Sequence, residues 1–211
     1  MKITWIGHSC FKIEKDGYII IIDPYEDDSV PGYRPIKQKA HLVLCSHEHS
    51  DHNYRQAIEI LPAQSSPFTI TTIATYHDDQ QGSLRGSNNI HIMQDGKYKI
   101  AHLGDLGCEL EPSAKMLLQD LDVLLIPVGG TYTLDYKQAL ALIDDLRPNI
   151  TILMHYRDDI KGFGFEEIAT CAQIKTLKDN VIVLNDTTLD LTTQHFNEQI
   201  LILSPQNINV R

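Results

Sequence analysis

The segment His47-Glu48-His49-Ser50-Asp51-His52 places three imidazoles and a carboxylate at the end of an apolar run. That run, Ala40-His41-Leu42-Val43-Leu44-Cys45, is short and largely apolar and predicts a buried strand. His47 and His49 are two apart, so in extended backbone their side chains leave on the same side. Asp51 and His52 follow where the chain is expected to turn into a helix, which swings them toward the same point from another direction. Neutral imidazole and carboxylate suit Zn, Mn and Fe, and such donors converging from one loop can hold a pair of ions, with Zn the default for a His-rich set. The bland alternative is a solvated loop that happens to be rich in His. The density of donors makes a metal site the reading.

A centre with two ions needs donors from more than one loop. Three later residues end runs that read as strands: His77 after Thr69 to Tyr76, Asp105 after Ile100-Ala101-His102-Leu103-Gly104, and His155 after Ile150 to Met154. Singly, each is an ordinary strand-end residue. Together they point to one edge of the molecule, because α/β proteins collect their sites at strand ends. Gly104 and Gly107 bracket Asp105 and allow a tight loop there, and the Asp105 carboxylate could bridge two ions, one oxygen to each.

The elements that must position these residues can be read in outline. Ile3 to Ile6 and Cys10 to Glu14 are strand signals, and Asp16-Gly17 makes a two-residue turn into Tyr18 to Ile22. Residues 53 to 66 are expected to form a short helix and connector. Phe68 to Ala74 is β-rich, Ile90 to Met93 and Tyr98 to His102 form a hairpin across Asp95-Gly96, and Leu121 to Pro127 is a buried strand. Thr133 is the expected cap of a helix from Leu134 to Leu146, whose apolar face is Leu134, Ala139, Leu142, Ile143 and Leu146. Arg147-Pro148 stops it before the strand Ile150 to Met154. A helix from about Phe165 to Leu177, the strand Val181 to Leu184 and two further β segments complete the chain.

The whole, residues 1–211, reads as one α/β domain with a sizeable core, since 42% of the residues are hydrophobic and 22% charged. No apolar stretch reaches the length of a membrane span, and the N-terminus enters a strand pattern without a signal-peptide core, so a soluble, cytoplasmic protein is expected. A net charge of −10, from 28 acidic and 18 basic residues, disfavours a nucleic-acid surface. It leaves room for an anionic substrate, because bound divalent ions reverse the local sign. Cys10, Cys45, Cys108 and Cys171 are widely spaced and read as buried thiols rather than a disulfide framework. No interface stripe is visible, which leaves homo-oligomerisation open.

The order His47-x-His49-x-Asp51-His52, His77, Asp105, His155 resembles the metallo-β-lactamase-fold metallohydrolases, over nearly the whole chain. More narrowly, Gly7-His8-Ser9-Cys10-Phe11, Ile22-Asp23-Pro24, Arg85-Gly86-Ser87-Asn88, the segment 102–107 and Pro127-Val128-Gly129-Gly130 are similar to the branch that contains ascorbate-6-phosphate lactonase and many small hydrolases. The resemblance implies a four-layer αββα sandwich with two divalent metal ions at one edge. It would place His47, His49 and His77 on one ion and Asp51, His52 and His155 on the other, with Asp105 bridging. The chain lacks the RNA-gripping arm and added cap of nucleic-acid-processing relatives, and nothing in it suggests antibiotic binding.

Two ions bridged by a carboxylate would generate a hydroxide nucleophile near neutral pH, and Asp51 is the catalytic candidate that orients it and moves a proton to the leaving group. Around the metals, Arg85 either anchors a phosphate or carboxylate of a small anionic substrate or ties its loop to Asp78. Asn88 and Tyr132 are further substrate-contact candidates, Tyr132 equally a packing residue. His8 either faces the site or is structural. Asp23 is expected to accept from a ligand imidazole and fix its tautomer. Glu48 is expected to face solvent, and His41, His91, His102 and His195 to be structural or surface residues. The chemistry fits a phosphoester, a phosphodiester or a lactone. The competing class is a mononuclear-iron oxidoreductase, such as a sulfur dioxygenase, on the same fold; a non-catalytic metal protein is the third.

Overall fold

The computed structural model describes residues 1–193 and 197–209; His195 lies outside them. The chain opens with three antiparallel strands, β1 (Lys2–Gly7), β2 (Cys10–Lys15) and β3 (Tyr18–Ile22). Between β2 and β3, Asp16 and Gly17 both take positive φ, 50° and 81°, the left-handed pair that a two-residue hairpin turn requires. Two short strands follow, β4 (Gln38–Ala40) and β5 (Leu42–Leu44), and β5 runs parallel to β3. β6 (Ile58–Ile60) pairs only with β4.

The second half contributes β7 (Thr69–Tyr76), β8 (Ser87–Gln94) and β9 (Lys99–His102), then helix α1 (Pro112–Leu117), β10 (Val123–Pro127), helix α2 (Tyr136–Leu146) and β11 (Ile150–Met154). Helix α3 (Ala172–Leu177) and strands β12 (Val181–Val183), β13 (Thr188–Asp190) and β14 (Gln199–Ile202) complete it. One sheet has the order β13-β1-β2-β3-β5 and the other β12-β14-β11-β10-β9-β8-β7. From β9 to β12 the second sheet is parallel, and its β10 and β11 are buried along their whole length, as expected of strands covered on both faces. The architecture is the α/β sandwich of two mixed sheets expected for the αββα class. Among the described residues no helix is long and apolar enough to cross a membrane.

Both sheets feed one continuous hydrophobic cluster. Trp5 sits at its centre, fully buried, with ring centroids 5.4 Å from Tyr156, 5.8 Å from Phe163 and 6.5 Å from Phe11. Its indole N–H donates to the carbonyl of His8 at 2.9 Å, so the core also pins the turn that ends β1.

Several local expectations are corrected. The run 40–45 breaks at His41, and β5 is a half-buried edge strand rather than a buried one; the His41 imidazole accepts from Ile19 N and stacks on Tyr18. Residues 53–66 form a 3₁₀ turn (Arg55–Ala57) and then β6, because the backbone there pairs with β4 instead of closing helical turns. The long helix expected over 165–177 shrinks to α3. The residues ahead of it spend their backbone groups on neighbouring loops, Gly164 N donating to Pro31 O, Ala169 N to Gly129 O and Arg157 N to Ala169 O. Helix α1, which opens on Pro112, was not anticipated.

The cap of α2 is Asp135, not Thr133. Its carboxylate accepts from Lys137 N and Gln138 N, while the Gln138 side chain accepts from Asp135 N, a reciprocal arrangement that satisfies two end groups at once. Asp135→Ala should lower the unfolding free energy by about 1 kcal/mol, read from denaturant titration, and leave metal content unchanged.

Candidate metal centre

β3 and β5 are parallel neighbours, so the residues that follow them emerge side by side. Asp23 leaves β3 with φ 48°, fully buried. One of its oxygens accepts from Ser46 N at 2.7 Å; the other accepts from the Ser46 hydroxyl at 2.7 Å and from His52 Nδ1 at 2.8 Å. The Ser46 proton is thereby committed to Asp23, so the contact of Ser46 Oγ with His47 Nδ1 at 2.9 Å has His47 as donor. One carboxylate thus sets two ring orientations. His47 and His52 both donate from Nδ1 and turn Nε2 inward.

From Ser46 to His49 the backbone bends rather than running extended, and Asp51-His52 sits in a turn closed by His52 N and Asn53 N on His49 O, not at a helix start. His47 and His49 still meet, with ring centroids 4.6 Å apart, and His77, from the end of β7, lies 4.7 Å from His47 and 5.1 Å from His49. Three sets of side chains have donor atoms mutually within 4.8 Å: His47, His49 and His77; His47, His52 and Asp105; and His8, Asp51, His52 and His155. The first is the trio expected for one ion. The last is the trio expected for the second ion, joined by His8. Asp105 lies between them, one oxygen 3.2 Å from His52 Nε2, 3.2 Å from His77 Nε2 and 3.1 Å from His155 Nε2.

The donor set fits metal ions on two observations. Asp23, Asp51 and Asp105 are gathered in this interior, and among the described residues their only cationic partners are imidazoles, with no Lys or Arg. Among the described residues, buried His47 Nε2 and Asp105 Oδ1 have no hydrogen-bond partner, a costly arrangement unless a further ligand completes it. Burial, reinforced by the neighbouring His52, drives His47 down to about 3, so it is neutral with a free lone pair. Burial works against charge on His52 too, but Asp105, Asp51 and Asp23 around it raise it well above the usual imidazole value. Burial alone would raise the Asp23 carboxyl, yet His52, His102 and His47 bring it down to about 2. The pocket is organised to receive positive charge.

The Asp105 loop presses on the first sheet's loop. A Cβ at Gly104, whose φ is 57°, would fall 2.3 Å from Asn88 Oδ1 and 2.4 Å from Ser46 Cβ. Asn88, a substrate-contact candidate from sequence, does not line the cleft. It is fully buried, donates to Thr75 Oγ1 and Leu103 O, and accepts from Asp105 N at 2.9 Å, so it fixes the Asp105 loop. His102 does the same from below, accepting from Gly104 N and donating to Ser9 O. His8 is fully buried behind Asp51, its Nε2 3.2 Å from Asp51 Oδ2, and does not line the cleft. Glu48 is exposed, and His91 bridges to Cys45 O and Thr72, as a structural residue would.

Above the donors opens a cleft of about 380 Å³ that Asp51, Asp105, His77 and His155 line together with Arg85 and Tyr132. Asp78 does hold the Arg85 loop, but through backbone: it accepts from Gln80, Gly82, Leu84 and Arg85 N–H groups. The Arg85 guanidinium is left to lie over the Tyr132 ring, 5.2 Å from its centroid. A larger cavity of about 600 Å³ runs between β7 and α1 and, among the described residues, holds no imidazole. Ser46 and Phe165, the latter also lining the cleft, were missed from sequence. A hydroxyl directly before the first ligand His was the available signal for Ser46; Phe165 offered none.

Residues 2–155 match the model of the beta-lactamase superfamily domain. The chain belongs to the metallo-β-lactamase superfamily. A UPF0173 protein of Pyrococcus abyssi is 31% identical over 184 residues, covering 74% of this chain and 83% of that protein. A UPF0173 metal-dependent hydrolase of Carboxydothermus hydrogenoformans is 26% identical over 225 residues, covering 87% and 100%. A crystal structure from Thermotoga maritima, assigned to the Zn-dependent hydrolases of the superfamily, superposes with a TM-score of 0.74 at 26% identity over 97% of this chain and 99% of that one.

With this membership and these donor clusters the chain is a metal-dependent hydrolase, able to coordinate one or two divalent ions. If Asp23 sets the two ring orientations, Asp23→Asn should weaken divalent-metal binding by about 10–100-fold, measured by competition with a chromogenic chelator. Asn tolerates the same left-handed backbone, so the fold should survive, as a thermal melt would show.

Proposed function

We propose that the protein, a single domain over residues 1–211, is a binuclear metal-dependent hydrolase of a small anionic phosphoester, phosphodiester or lactone. The observation that carries this reading is the position of Asp105, whose one oxygen stands within 3.2 Å of imidazoles from both donor sets. His47, His49 and His77 would hold one ion, Asp51, His52 and His155 the other, and Asp105 both. The nitrogen-rich donor set favours Zn, with Mn or Fe compatible. When bound, such ions supply a water of lowered pKa and a Lewis acid for the scissile bond.

The chain's own residues do the rest. Asp51, at the floor of the cleft, accepts from His8 Nε2–H, which holds one carboxylate oxygen in place. Its carboxylate accepts a proton of the attacking water, aligning it, and then returns a proton to the leaving oxygen. Arg85 faces the cleft beside Tyr132 and offers paired donors to the substrate's anionic group. The motif likeness to the ascorbate-6-phosphate lactonase branch supports keeping acyl chemistry beside phosphoryl transfer. Four unpaired thiols, Cys10, Cys45, Cys108 and Cys171, support a reducing, cytoplasmic setting.

The test compares initial rates on bis(4-nitrophenyl) phosphate and on a small anionic lactone, with Zn- and Mn-loaded protein. Turnover of one substrate should vanish on chelation and return with metal. Asp51→Ala should lower kcat by about 10²–10⁴ with KM changed only a few-fold. Chelator-insensitive turnover, or an Asp51→Ala protein of full activity, would sink the reading.

A further inference from the structure

The cleft lining brings one cation next to an apolar and aromatic wall. Arg85 is its one Lys or Arg side chain among the described residues, and no carboxamide lines it. Asp51 and Asp105 are already engaged with imidazoles. Beyond the donors the lining combines two small hydroxyls, Ser29 and Ser50, with an apolar and aromatic wall built from Leu84, Tyr132 and Phe165. The Phe165 and Tyr132 rings meet edge-on, centroids 6.3 Å apart and planes at 83°. Phe165 also stands edge-on to His8, at 5.5 Å and 85°.

Backbone bonds hold this wall in place. Ala169 N donates to Gly129 O at 2.7 Å and the Thr131 hydroxyl to Glu167 O at 2.8 Å, which zips the loop bearing Tyr132 to the loop bearing Phe165. Gly164 N donates to Pro31 O at 3.0 Å and anchors the second loop to the first sheet's side. The segment that sequence periodicity assigned to a helix is instead spent on presenting one aromatic ring to the cleft.

We infer that the substrate carries a single anionic group joined to a flat, apolar body of aryl type. The anionic group pairs with Arg85, and the body lies against Phe165 and Tyr132. A polyhydroxylated body would face this wall with more hydroxyls than the Ser29, Ser50 and Tyr132 hydroxyls can pair, and each unpaired group would count against binding. An aryl ring removes apolar surface from water and meets the edges and faces of rings already fixed. This inference rests on the cleft being the hydrolytic site, and it narrows the substrate class of that site.

The test is calorimetric titration of the metal-loaded protein with phenylphosphonate and with methylphosphonate, which share the anionic group and differ in the body. Phenylphosphonate should bind at least about tenfold more tightly, the scale expected for covering one aromatic ring. Phe165→Ala should remove most of that preference and leave methylphosphonate affinity within about twofold. Phe165→Leu, which keeps apolar bulk, should retain part of it, and Arg85→Gln should weaken both ligands alike. Equal affinities in the wild-type protein, or a Phe165→Ala change that weakens both phosphonates alike, would overturn the inference. Because the readout is binding, that failure is separable from failure of the hydrolase reading, which shows as loss of metal-dependent turnover.

Discussion

The site depends on one buried carboxylate. Asp23 sits at the end of β3 in a left-handed backbone conformation and accepts three hydrogen bonds, from Ser46 N, Ser46 Oγ and His52 Nδ1. A carboxylate can only accept, so its ionisation forces the direction of every bond around it. Ser46 must donate to it, His47 must then donate to Ser46, and His52 must donate directly. Two imidazoles that belong to different donor sets are thereby fixed with Nδ1–H turned to this network and Nε2 turned toward Asp105. Without that fixed direction, each ring could flip and turn Nε2 away from the other donors.

The rest of the fold serves to bring five strand ends to this carboxylate. β3 and β5 run parallel, so Asp23 and Ser46 emerge together. β7, β9 and β11 deliver His77, Asp105 and His155 from the other sheet, and β1 delivers His8. The two sheets touch at the site through close backbone approach: Gly104 has no room for a Cβ against Ser46 and Asn88. Trp5, at the centre of the core, reaches the same region through its bond to the His8 carbonyl. Core packing and site geometry are therefore linked, and the donors are held by rigid elements rather than by a free loop.

Much of this was legible in the sequence, for identifiable reasons. The donors His47, His49, Asp51 and His52 could be picked out as one dense cluster after a single apolar run, and His77, Asp105 and His155 because each is a ligand-type residue ending a strand-like run. Strand turns such as Asp16-Gly17 were legible because the backbone demands those residues. What failed was periodicity without tertiary context. Residues 165–171 carry a helical pattern but give their backbone groups to other loops, and only from that exchange does Phe165 reach the cleft. Asn88 reads from sequence as a substrate-contact candidate, yet its amide is used inside, on Thr75, Leu103 and Asp105. The cap of α2 moved from Thr133 to Asp135 because Gln138 completes a reciprocal pair with Asp135 that Thr133 does not have.

The central claim is that two donor sets share Asp105 and hold two ions at once. Metal analysis of the chain tests it most directly, after saturation with Zn and removal of free ion by gel filtration. The account predicts two Zn per wild-type chain and a fall to one or fewer in Asp105→Ala. A wild-type chain that saturates at a single ion would contradict it.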